Sequence, residues 1–224
     1  MTTIIPKKQM SEEDIKLHYI TPALTDKGWF DNLTMETVVN ISAGRINIKG
    51  NLTIREKPKR ADYVLYLCQD KPIAVVEAKD NNHTVSFGLQ QAMTYAQMLE
   101  VPFAFSSNGD GFVEHDFLTG TERDLELGEF PTYQELCDRF KAEANGGAGL
   151  SAREIAIISQ PYYTSQTTFA PRYYQRNAIN RTVEAIARGQ NRLLLVMATG
   201  TGKTYTAFQI VYRLLKSGMV NKVL

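Results

Sequence analysis

The alternation of apolar and polar positions divides the chain into predicted elements before any motif is considered. In "SEEDIKLHYITPAL", residues 11–24, Ile15, Tyr19 and Ile20 form an apolar stripe at helical spacing. Ser11 stands at the N-cap position with Asp14 three residues on. "GWF" closes that element. Residues 35–67 change to the period of strands, and "KPIAVVEAKD", residues 71–80, predicts another strand. Residues 86–99 return to helical spacing, and Pro102 marks where that helix has ended. "VPFAFSSNGDGFVEHDFLTG" predicts two short strands around the turn "SNGDG", and "YQELCDRFKAEA" predicts a helix.

"ANGGAGLSARE" follows, rich in Gly and Ala, with the composition of a linker. Beyond it the pattern changes. "PRYYQRNAINRTVEAIARGQ" predicts a helix stopped by Gly189. "RLLLVM" is a continuous apolar run, the kind of strand buried on both faces of a parallel sheet. "ATGTGKT" and the amphipathic helix "YTAFQIVYRLLKSG" come next, and "KVL" reads as the start of another strand. A sheet ending there has an unpaired edge, so the sequence is expected to be a fragment of a longer chain. The expected domains are 1–144, a linker over 145–168, and the start of a second α/β domain over 169–224.

Composition bounds what these elements can do. The chain has 224 residues, 43% of them hydrophobic, enough for one generous core or two small ones. Its net charge of +1 excludes a globally basic nucleic-acid binder, so any such site is a local patch. Cys68 and Cys137 lie far apart with no metal-ligand spacing and are expected as buried thiols of a reduced compartment. No run is apolar enough for a signal peptide or a membrane span, so the expectation is a soluble, cytoplasmic protein without membrane association. There is no internal repeat.

"VMATGTGKTYTA" is the most specific signal. A buried strand, a Gly-rich turn and a helix make a phosphate-binding loop. Gly200 and Gly202 let the backbone N–H groups of residues 199–202 turn toward phosphate oxygens, with Thr199 and Thr201 between them. Lys203 reaches the β and γ phosphates of ATP, the Thr204 hydroxyl can ligate Mg²⁺, and the helix N-terminus adds partial positive charge. Met197 stands where the common pattern has Gly. The variant A-T-G-T-G-K-T resembles superfamily 2 helicases and translocases. "PRYYQ" resembles their adenine-reading segment, which implies hydrogen bonding by Gln175 and packing of Arg172 or Tyr173 on the base. The competing explanation of "PRYYQ" is an ordinary capped helix start.

The second signal is the end of "AVVEAKD". Alternation puts Glu77 and Lys79 on one strand face with Ile73 and Val75, about 7 Å apart along the backbone. Asp62 opens the preceding strand "ADYVLYL", giving D…E-x-K. Carboxylate oxygens hold Mg²⁺, which polarises a phosphodiester and makes hydroxide available, and Lys79 can orient the attacking water. By itself this pattern also fits a strand ending in solvated charges. It resembles the PD-(D/E)xK nuclease motif, with Ala61 where that motif often has Pro. In "QAMTY", Gln91 and Tyr95 fall at i and i+4 on one helix face; Q-x-x-x-Y after E-x-K resembles RecB-like and restriction-motor nucleases. Arg45, Lys49, Arg55, Lys57, Lys59 and Arg60 make a basic hairpin that can hold phosphate backbones or simply be solvated. Glu12 and Asp14 are further candidate metal ligands, equally explained by capping. His18, His83 and His115 have no ligand spacing, and Trp29 and Phe30 are expected in the core.

In order and spacing, "SEEDIKLHYITPALTDKGW", "RADYVLYL", "AVVEAKD", "QAMTYA", "RYYQRNAI" and "LLLVMATGTGKTYTA" resemble the N-terminal part of the R subunit of type I restriction enzymes. The resemblance implies an α/β chain, with a PD-(D/E)xK nuclease domain followed by the beginning of a RecA-like parallel-sheet domain. It implies Asp62 and Glu77 as metal ligands, Lys79 as the catalytic lysine, and Gln91 and Tyr95 as supports. It also implies ATP and Mg²⁺ as cofactors, double-stranded DNA as substrate, and methyltransferase (M) and specificity (S) subunits as partners. Cleavage far from the recognition site, driven by ATP-dependent translocation, is the implied activity. The alternatives are a stand-alone superfamily 2 helicase-nuclease, another ATP-dependent restriction motor, or a DNA-binding module with a degenerate nuclease fold. Without Walker B acids or a second lobe, this stretch by itself is expected not to turn over ATP.

Overall fold

A computed structural model describes residues 5–38, 46–49, 52–55, 59–168 and 170–223. Arg45 and Lys57, and the side chains of Lys49 and Arg55, lie outside the described residues, whereas Lys59 and Arg60 are exposed.

The chain opens with a capped turn of helix, α1 (Glu12–Ile15), a π-helical turn over Lys16–Ile20, and α2 (Thr21–Thr25). Asp14 is occupied by the capping box predicted around Ser11: the Ser11 N–H donates to its Oδ2 at 3.0 Å and the Ser11 hydroxyl at 2.7 Å. The strands are β1 (Leu33–Val38), β2 (Ile46–Lys49), β3 (Leu52–Arg55), β4 (Arg60–Cys68), β5 (Lys71–Ala78), β6 (Phe103–Ser107), β7 (Gly111–Asp116) and β8 (Thr121–Glu126). Six of them form a mixed sheet in the order β1-β4-β5-β6-β7-β8, and β2 and β3 pair as a separate two-stranded sheet. Among the described strands only β5 and β6 pair parallel, because α3 (Leu89–Leu99) carries the chain back between them.

One sheet face packs Trp29, Phe105, Phe112 and Phe130 against Ile15, Ile20, Leu24 and, from α4 (Tyr133–Glu143), Leu136. The other packs Val64, Val75 and Ala104 under Ala92, Tyr95 and Leu99 of α3. Ile73 departs from simple alternation. The β4–β5 register steps from Leu65↔Ala74 to Tyr66↔Pro72, so Ile73 is an inserted residue and joins Ala74 and Val76 on the Trp29 side. Val75 and Glu77 retain the face toward α3.

After α4 the glycines at 146, 147 and 149 take positive φ in a turn, and α5 (Ala152–Ile158) forms with its own capping box. Then come α6 (Tyr173–Ala187), closed by Gly189 at φ 85°, and α7 (Lys203–Lys216). Ile157, Ile158, Val183 and Leu214 make a third core. Its centre is Arg213, which donates to the Ile157 carbonyl at 2.7 Å and to Asn180 Oδ1 at 2.6 Å. This unit is tied to the sheet. Lys71 Nζ meets Glu184 at 2.5 Å, Arg181 meets Glu100 at 2.6 Å, and the Tyr162 N–H donates to Asp70 at 2.9 Å.

Other expectations are corrected: Trp29 lies in the core as expected, but Phe30 is 68% exposed. "RLLLVM" forms no strand, and Leu194 and Val196 are 88% and 87% exposed. A strand exists only through its ladder partners, and none of the described residues supplies them. β8, "TERDLE", was not anticipated because it is an edge strand with almost every side chain exposed, which leaves no apolar alternation to read. Among the described residues, no helix is long and apolar enough to cross a membrane.

Candidate functional site

Three adjacent strands set three carboxylates in a row. The pairs Met35↔Tyr63 and Thr37↔Ala61 bracket Glu36 and Asp62, and the register Tyr63↔Val76 continues toward Asp62 and Glu77. Glu77 in turn pairs with Ser106 of β6. Acids on neighbouring strands repel one another, so the row needs cations or hydrogen bonds between its members.

Glu77 is 3% exposed. Its Oε1 accepts from Lys79 Nζ at 2.9 Å and from the Gln91 amide of α3, and Gln91 also donates to the Tyr95 hydroxyl at 3.1 Å. The helical i, i+4 pairing thus converges with the strand-borne E-x-K on one oxygen. The other oxygen, Oε2, is buried and has no hydrogen-bond partner. Burial, reinforced by the Asp62 charge, raises the Glu77 carboxyl to about 7 against the pull of Lys79. Asp62, 8% exposed, accepts the Ala78 N–H at 2.8 Å through Oδ2. The geometry therefore gathers Asp62, Glu77, Lys79, Gln91 and Tyr95 at the open ends of β4 and β5.

Glu12 also faces this cluster. Burial raises its pKa, with Lys79 opposing and Asp62 reinforcing the shift. Among the described residues, no three His, Cys, Asp or Glu side chains form a metal cage by themselves. The unpartnered Oε2 of Glu77 beside Asp62 is nevertheless the donor that a hard divalent cation takes, so these residues fit Mg²⁺.

Four members of the site went unread in the sequence. Lys16, 2% exposed, places its Nζ 2.6 Å from Glu13, 3.0 Å from Glu36 and 3.2 Å from Asp62. Its signal was present: Glu12, Ile15, Lys16 and Tyr19 share one helical stripe, and a lysine inside a buried stripe requires acid partners. Glu36 holds a left-handed backbone at φ 50°, a conformation uncommon outside glycine and frequent at functional sites. Gly88 and Ser106 shape the floor under Glu77. A Cβ on Gly88 would stand 2.8 Å from Ser106 Oγ and 3.2 Å from Glu77 Cγ, so only glycine allows this approach.

The phosphate loop lies at the other end of the chain, against a cleft of about 750 Å³ lined by Thr167, Thr168, Arg172, Tyr174, Gln175 and residues 200–202. Gly200 and Gly202 take φ 80° and 83°. Lys203 and Thr204 open α7 and are exposed, with Lys203 Nζ donating to the Met197 carbonyl at 3.3 Å. Thr199 is exposed beside Gly200, and the Thr201 hydroxyl closes the loop onto the Ala198 carbonyl at 2.6 Å. Gln175 is buried and bridges two elements: its Oε1 accepts the Arg172 N–H at 2.9 Å, and its Nε2 donates to the Thr201 carbonyl at 2.9 Å. Arg172 is exposed on the cleft, and Tyr173 is half-buried behind it.

Gly202 makes that bridge possible. A Cβ there would fall 2.4 Å from Gln175 Nε2, on a backbone that alanine strains by about 1–2 kcal/mol. Gly202→Ala is therefore expected to weaken binding of a fluorescent ATP analogue at least tenfold while the β-sheet core stays folded by circular dichroism. Unchanged affinity would show that the bridge is dispensable.

Comparison with known proteins follows this geometry. Residues 31–131 match the family described as "Type I restriction enzyme R protein N terminus", and residues 168–224 match "Type III restriction enzyme, res subunit". The type I restriction enzyme EcoAI endonuclease subunit of Escherichia coli is 41% identical over 96% of this chain. The EcoKI endonuclease subunit of Escherichia coli strain K12 is 27% identical over 73% of it. A fragment structure described as an HsdR subunit of a type I restriction enzyme from Vibrio vulnificus YJ016 superposes with a TM-score of 0.80 at 40% identity, covering 93% of this chain and 38% of that one. These matches are all to restriction-enzyme subunits. The chain belongs to the R-subunit family of type I restriction enzymes and corresponds to the N-terminal part of those proteins. It spans 26% and 17% of the lengths of the two curated relatives.

Proposed function

We propose that residues 1–144 form a PD-(D/E)xK nuclease domain and that residues 169–224 begin a RecA-like motor lobe, joined through residues 145–168. In this reading the chain belongs to a cytoplasmic R subunit that cleaves double-stranded DNA, away from the recognition site, as ATP-driven translocation brings it in. The observation that carries the reading is the gathering of Asp62, Glu77 and Lys79, with Lys79 on Glu77 Oε1, Asp62 on the adjoining Ala78 N–H, and Glu77 Oε2 buried and unpartnered. The names of the EcoAI and EcoKI relatives, both endonuclease subunits, support it.

Asp62 and Glu77 would hold Mg²⁺. A bound Mg²⁺ supplies Lewis acidity at the phosphodiester and lowers the pKa of its water. Gln91 keeps Glu77 Oε1 in place, with Tyr95 behind it. Lys79 orients the attacking water and offsets the negative charge that grows on the phosphoryl oxygens. Lys59 and Arg60, exposed at the start of β4, offer phosphate contacts with the rest of the basic hairpin. At the phosphate loop, Lys203 and Thr204 would take the phosphates and Mg²⁺ of ATP, and Arg172 the base side. Methyltransferase and specificity subunits would supply site recognition.

The match of residues 168–224 to a type III res subunit favours one second reading, a restriction motor of another ATP-dependent class. Supercoiled plasmid is the test. The full-length subunit, assembled with M and S subunits, ATP and Mg²⁺, is compared as wild type, Lys79→Ala and Lys203→Ala. Cutting by Lys79→Ala would remove the nuclease assignment; cutting without an S subunit would favour the second reading.

A further inference from the structure

Lys16 has more acid around it than a structural ion pair requires. Its Nζ contacts Glu13 at 2.6 Å, Glu36 at 3.0 Å and Asp62 at 3.2 Å, and the side chain is 2% exposed. Three carboxylates at ion-pair distance around one buried Nζ make Lys16 the cation of the cluster. Two backbone irregularities aim the cluster. The π-helical turn begins at Lys16, and Glu36 sits at φ 50° with its carboxylate turned onto the ammonium. Glu36 and Asp62 are cross-strand neighbours, bracketed by Met35↔Tyr63 and Thr37↔Ala61, and two unscreened carboxylates there would repel.

We propose that Lys16 is a positioning residue of the nuclease site, a resident counter-cation that holds Asp62 beside Glu36 and competes with the divalent ion for Asp62 Oδ1. This rests on the nuclease reading above. Asp62 has both oxygens engaged, Oδ1 by Lys16 and Oδ2 by the Ala78 N–H, whereas Glu77 Oε2 is open. A divalent ion held by Glu77 and Asp62 would therefore share Asp62 with the Lys16 ammonium. With Lys16 removed, Asp62 stays aimed through the Ala78 N–H, and its uncompensated charge becomes fully available. Lys16 thus sets how much divalent ion the site requires, and keeps the acid row assembled before that ion arrives.

The probe is Mn²⁺ alone, titrated calorimetrically into the chain without nucleotide, in a Thr204→Ala background so that the phosphate loop contributes no ligand. Lys16→Met is expected to bind Mn²⁺ at least tenfold more tightly than the parent, and Lys16→Arg within about threefold of it. The melting temperature of Lys16→Met is expected to fall in chelator and to recover with Mn²⁺ by more than the parent's does. If Lys16→Met is unfolded in chelator, Mn²⁺ must refold it. Unchanged or weaker Mn²⁺ affinity in folded Lys16→Met, or failure of Mn²⁺ to refold it, overturns the proposal and leaves Lys16 a structural ion pair. The nuclease reading fails separately, when the parent binds no Mn²⁺ or when Glu77→Gln binds it as tightly as the parent.

Discussion

Lys79→Ala is expected to reduce DNA cleavage by the assembled full-length subunit by a factor of about 10²–10⁴, the usual contribution of a positioned proton-transfer or charge-stabilising group. DNA-stimulated ATP hydrolysis should remain within about twofold of wild type. The separation follows from distribution along the chain: among the described residues the side-chain hydrogen bonds of Lys79 go to Glu77 and the Ala78 carbonyl, both on β5, while the phosphate loop begins more than a hundred residues later. Lys79→Arg should not restore the rate. A guanidinium is planar and has a different reach and proton affinity from a compact ammonium, and the space beside Glu77 is already shared with Gln91. Under the proposed function, in which cutting follows translocation, Lys203→Ala should lose both activities. Gel analysis of supercoiled plasmid alongside a phosphate-release assay reads both. Full cleavage by Lys79→Ala would reduce "AVVEAKD" to a strand with charged ends.

The parts of this site that were readable in the sequence are those where a period and a chemistry coincide. "AVVEAKD" gives a strand whose alternation keeps Glu77 on one face, and "QAMTY" gives a helix whose i, i+4 pair meets it. "ATGTGKT" is legible because two glycines at positive φ, a lysine and a helix start are contiguous. The capping box at Ser11 depends on residues three apart.

What was not legible depends on residues distant in sequence or on geometry without a residue signature. Lys16, Glu36 and Asp62 meet only after three elements have folded, across separations of 20 and 46 residues. The inserted residue at Ile73 changes the face of one side chain without changing the apolar pattern, so alternation placed it wrongly. Gly88 looks like any helix-start glycine; its need comes from Ser106 and Glu77, which pack against it. "RLLLVM" has the composition of a buried strand, but composition supplies no partner.

The metal-free chain should gain stability from Glu77 as pH falls, opposite to the usual behaviour of a buried carboxylate with ion-pair partners. The Glu77 carboxyl is raised from 4.5 to about 7, first by burial and then by the Asp62 charge. A raised acid binds its proton more tightly when folded, so its contribution is fully present below pH 4.5 and is lost as pH rises through about 7. The shift corresponds to about 3 kcal/mol at most. Other acids act in the opposite sense: hydrogen bonds to its own helix start and to Arg188 hold Glu154 near 2 despite burial. The Glu77 component is therefore read as a difference. Between pH 5 and 8 the stability of wild type relative to Glu77→Gln should decline by about 2–3 kcal/mol in chelator, measured by urea titration at each pH. Divalent ion should reverse the sign of that comparison at pH 8, because the ionised carboxylate is then the ligand and glutamine is not. Near pH 6, Mn²⁺ binding should also release close to one proton, read from calorimetry in buffers of different ionisation enthalpy. Parallel curves for wild type and Glu77→Gln, with no proton released on binding, would mean that Glu77 is ionised throughout and that its buried oxygen has a partner in solution.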